Sequence, residues 1–118
     1  MLWLALLLPR LPIEVFLRAR DPAAGGSAAA PFAVGEAGSP PRLLIVTPEA
    51  ERLGLAPGMA ASAAYALAPD LVIRPRDRTL ERATLDSLAL WAEQFTPMLH
   101  VAGPDSLLLE VAGCLRLF

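Results

Sequence analysis

The segment Leu2-Trp3-Leu4-Ala5-Leu6-Leu7-Leu8-Pro9-Arg10-Leu11-Pro12-Ile13-Glu14 opens the chain after Met1. Leu2 to Leu8 is uncharged and, apart from Ala5, built of large apolar side chains. Such a run reads as a strand buried on both faces, and Pro9, which has no N–H to give a ladder, stops it. A secretory leader would carry a basic residue ahead of the apolar run and a small-residue cleavage site behind it. No basic residue precedes Leu2, and the run ends far short of the roughly 20 residues of a membrane span. A short helix follows over Leu11 to Arg18. Pro12 is tolerated in its first turn, and Ile13, Phe16 and Leu17 share one face.

Working outward, Asp21 to Ala30 is rich in Gly, Ala and Ser and reads as a loop. Phe32 to Gly35 is a short strand and Glu36 to Pro41 a second loop. Leu43 to Val46 is a buried strand. Thr47 then caps a short helix with Pro48 at its first position, and Gly54 ends it in the left-handed region. Pro57-Gly58 is a turn. Met59 to Leu67 is helical and stopped by Pro69, and Leu71 to Ile73 is a strand. Asp77 or Thr79 caps a long helix to about Phe95, with Leu80, Ala83, Leu85, Leu88, Trp91 and Phe95 at helical spacing. Met98 to Val101 and Leu107 to Val111 form a hairpin across Ala102-Gly103-Pro104-Asp105. The order β-α-β-β-α-α-β-α-β-β predicts an α+β fold. It calls for a sheet of sequence-distant strands with a small helical insertion after the third strand.

Composition narrows the function classes. With 118 residues, 55% hydrophobic and 19% charged, the chain has enough apolar material for a packed core. All ten basic residues are Arg, the formal net charge is −2 and the pI is near 5.3. A module that binds nucleic acid tightly by itself shows a basic surface. The one basic cluster is Arg74, Arg76 and Arg78, which suits either phosphate contacts or, preferably, a solvated loop partly offset by Asp77. A single cysteine, Cys114, and a single histidine, His100, leave no intramolecular disulfide and no ordinary zinc site. One cysteine is compatible with a reducing cytoplasm.

Phosphate-loop, nucleophile-elbow, zinc-protease and CxxC motifs are all absent. His100 reads as a structural residue in a strand and Cys114 as a small core residue. Asp105 and Glu110 could hold Mg²⁺ beside a sheet. Asp is also a common turn residue, however, and an offset of five sends the two to opposite faces of a regular strand.

Several stretches, in order, resemble the ImuB-like branch of the Y-family DNA polymerases, the UmuC/DinB-type palm-and-fingers region. Leu2 to Glu14 is similar to the first palm strand and the helix after it. Pro31-Phe32-Ala33-Val34 resembles the next strand. Glu49 to Met59 resembles the fingers motif, and Pro69 to Ile73 the strand that follows it. Phe95-Thr96-Pro97 with Val101 to Gly113 resembles the acidic hairpin, and Gly113-Cys114-Leu115-Arg116-Leu117-Phe118 the close of the ImuB-like form. The resemblance covers nearly the whole chain.

It implies a palm first part at 1–46, a fingers insertion at 47–75 and a palm second part at 76–118. The remaining palm, the thumb and the little finger are absent, so the chain is expected to be a fragment, marginally stable or self-associating. In the family, two Mg²⁺ ions are held by an Asp of the first strand and an Asp-Glu pair of the hairpin. The corresponding positions here are Ala5 and Asp105-Ser106, and a further acidic position falls on Leu7. The Tyr and Arg that the fingers offer to the triphosphate fall on Pro48 and Glu51. The resemblance therefore implies a non-enzymatic subunit with no metal and no cofactor, acting in the cytoplasm in DNA repair and SOS mutagenesis. It would touch damaged DNA weakly. It would meet a sliding clamp, a RecA-like accessory protein and an error-prone replicative-type polymerase through regions outside this chain. Two alternatives stay open: an active translesion polymerase fragment, and an unrelated small α+β interaction domain.

Overall fold

A computed structural model describes residues 1–18 and 30–114. The loop expected over Asp21 to Ala30 lies, but for Ala30, outside the described residues, as do the last four residues of the closing motif. The elements follow the expected order: β1 (Trp3–Leu7), α1 (Leu11–Leu17), β2 (Phe32–Glu36), β3 (Arg42–Val46), α2 (Pro48–Arg52), α3 (Ala61–Leu67), β4 (Val72–Pro75), α4 (Arg78–Ala92), β5 (Leu99–Ala102) and β6 (Ser106–Glu110). A 3₁₀ turn spans Ala112–Cys114. The expected sheet resolves into two three-stranded sheets, β3-β2-β4 and β1-β6-β5. They fall in two compact units, Pro12–Asp77 and Met1–Leu11 with Arg78–Phe118.

In the unit Pro12–Asp77, β2 runs antiparallel to β3 and parallel to β4. Its alternation fills two cores. Phe32 and Val34 pack with Ile13 of α1, flanked by Phe16, Leu17, Leu44 and Ile45. Ala33, on the opposite face, packs with Leu43, Val46, Ala50, Leu55, Ala64, Ala68 and Leu71. A strand covered on both faces loses its apolar/polar alternation, which is why Phe32-Ala33-Val34 reads as a continuous apolar run. Gly35 fits because a Cβ there would stand 3.2 Å from Ile73 Cγ2.

Thr47 joins strand to helix as its residue type predicts. Its Oγ accepts from Ala50 N–H at 3.4 Å as the N-cap of α2 and from Phe32 N–H at 3.2 Å. Gly54, at φ +93°, turns the chain after α2. Several boundaries differ from expectation by one to three residues, among them the end of α4, at Ala92 instead of about Phe95. Helix α3 starts at Ala61 instead of Met59, because Gly58 and Met59 exchange backbone hydrogen bonds with Leu43 and Ala60 bridges Arg42. Strand β4 begins at Val72 and continues to Pro75, following the parallel ladder from Phe32↔Val72 to Gly35↔Pro75.

In the other unit, β6 pairs antiparallel with β1 on one side and with β5 on the other. Gly103, at φ +70°, turns the β5–β6 hairpin. Helix α4 packs on β5 and β6 and buries Glu81, Leu85, Ala89 and Ala92 near Leu107 and Leu109. This corrects the expected apolar stripe. Leu85 belongs to the buried face, but Leu80, Ala83, Trp91 and Phe95 are exposed. Two stripes of helical period run along α4, and the buried one contains Glu81, so hydrophobicity alone selects the other. Strand β1 is also corrected, since all five of its residues are exposed. It is the end strand of its sheet, and α4 covers the other two.

Candidate polymerase-like sheet face

Burial of Leu107 and Leu109 sets the parity of β6. Their alternation partners Ser106, Leu108 and Glu110 point to the opposite face. Through the register, Trp3, Ala5 and Leu7 of β1 and His100 and Ala102 of β5 share that face. Ala5 stands opposite Leu108, and Leu7 opposite Ser106. The structure thus brings three of the sequence-derived site positions, Ala5, Leu7 and Ser106, onto one open surface. Asp105 lies at the rim, in the turn that leads into β6. The Ser106 hydroxyl donates to Asp105 Oδ1 at 3.1 Å, and the Leu8 N–H donates to the Asp105 carbonyl at 2.8 Å. The turn is in this way tied to the end of β1.

Glu110 has a different task. Its Oε1 accepts from the N–H of Leu2 at 3.2 Å and from the N–H of Ala112 at 2.9 Å. The carboxylate fastens the start of β1 to the turn after β6, and the length of β6 separates it from Asp105. Sequence reasoning missed this role; the available signal was an acidic residue inside an otherwise apolar strand. Among the described residues, no group of three His, Cys, Asp or Glu side chains is placed to hold a metal ion.

The resemblance implies a site for two Mg²⁺ ions in catalytically active polymerases of this type, and hard divalent cations need several oxygen ligands with negative charge. A methyl group at Ala5, an isobutyl group at Leu7 and a hydroxyl at Ser106 do not fit such a pair. One carboxylate, Asp105, remains beside them.

Pro48 and Glu51 lie on α2 in the other unit, both exposed. Pro48 occupies the first turn and offers no N–H there. Of the basic run, Arg74 is exposed on β4, Arg76 pairs with Glu36 at 3.6 Å, and Arg78 begins α4. His100 is exposed. Cys114 is buried, its thiol donating to the Phe95 carbonyl at 2.6 Å. No helix among the described residues is long and apolar enough to cross a membrane.

The chain is similar to known proteins in sequence and in fold. The protein ImuB of Caulobacter vibrioides (strain NA1000 / CB15N) is 41% identical over 61 residues, which is 52% of this chain and 13% of that relative. The chain therefore matches only a small part of the curated relative's length. Among solved structures, the post-insertion binary complex of Dbh DNA polymerase superposes with a TM-score of 0.75 at 20% identity, covering 98% of this chain and 33% of that one. A Y-family DNA polymerase chimera of Dbh and Dpo4 gives 0.70 at 19% identity, covering 96% and 33%. The fold is the palm-and-fingers region of a Y-family polymerase, a part of the full architecture. The alternative of an unrelated α+β interaction domain falls with this match. The impB/mucB/samB family model aligns over residues 17–118. Matched over all but its first sixteen residues, the chain belongs to the impB/mucB/samB family.

Proposed function

We propose that this chain is the palm-and-fingers part of a non-catalytic, polymerase-like subunit that scaffolds an error-prone polymerase complex in DNA repair and damage-induced translesion mutagenesis. The observation that carries the reading is the sheet face of β1 and β6. At the positions that the resemblance aligns with the family's carboxylates stand Ala5, Leu7 and Ser106, with Asp105 beside them and Glu110 engaged by backbone amides. Phosphoryl transfer by this fold depends on cation charge to offset the triphosphate, and this face has too few oxygen ligands to gather it. The positions Pro48 and Glu51 support the same reading. A ring without an N–H cannot donate to a phosphate, and an exposed carboxylate repels one.

In this assignment residues 1–46 and 76–118 serve as palm and residues 47–75 as the fingers insertion. The subunit works in the cytoplasm, within the SOS response, and touches damaged DNA weakly inside a complex. Its sliding clamp, RecA-like accessory protein and error-prone replicative-type polymerase engage segments outside these 118 residues.

Primer extension by the full-length protein tests the proposal. With a primer–template, all four deoxynucleotides and Mg²⁺ or Mn²⁺, no product above the protein-free control is expected. Ala5→Asp alone should not create activity, because Ser106 still denies a ligand. Metal-dependent extension by the wild type that vanishes in Asp105→Asn would overturn the proposal in favour of an active translesion polymerase.

A further inference from the structure

We draw no further inference here: the strongest candidate, the exposed apolar surface patch formed in the Pro12–Asp77 unit by Leu53 at the end of α2 and by Tyr65 and Leu67 of α3, carries nothing, because nothing in the structure shows what covers it.

Discussion

Glu110 directs its carboxylate at two backbone amides, those of Leu2 and Ala112. Removing an acceptor from paired donors costs more than the bond itself contributes, because the donors must find water instead. Glu110→Ala is expected to lower unfolding stability by about 1 kcal/mol, a modest figure because these bonds lie at an exposed position. Glu110→Gln, which keeps an oxygen acceptor, should lose less. Urea titration of the two variants against the wild type checks the order, and equal losses would deny the carboxylate this fastening role. At the same scale Thr47, Pro48 and Gly54 were legible in the sequence. Each acts on its immediate neighbours, and local chemistry is what a sequence records most directly. The task of Glu110 was not legible, because its donors sit at Leu2, more than a hundred residues away along the chain, and at Ala112, inside a turn.

At the scale of the element, α4 shows where periodicity stops being informative. Its buried stripe of Glu81, Leu85, Ala89 and Ala92 has small or charged members, and the exposed side has Leu90 and Trp91, with Phe95 in the turn just beyond the helix. Trp91 and Phe95 rest edge to face with ring centroids 5.0 Å apart. The spacing identified the helix, and the strand it lies against chose the face. Leu85, at 0% exposure, is expected to lose about 2–5 kcal/mol on Leu85→Ala, from lost burial and the cavity left behind. Leu90→Ala, at 69% exposure, should stay within about 0.5 kcal/mol. Thermal or chemical melts distinguish them, and a reversed order would place the buried stripe on the wrong side of the helix. Strand β1 makes the same point. Its uniformly apolar sequence located the strand correctly, but burial depends on neighbours that a linear reading cannot supply.

At the scale of the molecule, ten Arg are outnumbered by twelve Asp and Glu, for a net charge of −2. Affinity for a polyphosphate backbone comes chiefly from counterion release by Lys and Arg. The isolated chain should therefore bind duplex or single-stranded DNA no more tightly than about 10⁻⁵ M at physiological salt. Fluorescence anisotropy with a labelled oligonucleotide checks this, and nanomolar binding would show that charge bookkeeping misjudges the surface. The order of ten elements was readable from the sequence. The division of the strands into two sheets was not, because pairing partners are set by tertiary register.

That register also sets a timetable. The ladder from Trp3↔Glu110 to Leu7↔Ser106 joins strands about a hundred residues apart along the chain. On a ribosome adding roughly 5–20 residues per second, β1 emerges some 5–20 s before its partner strand exists. During that interval the whole of Pro12–Asp77, with all three strands of its own sheet, has been synthesised. Through that interval the nascent chain carries an unpaired Trp-Leu-Ala-Leu-Leu segment, a natural substrate for a holdase chaperone.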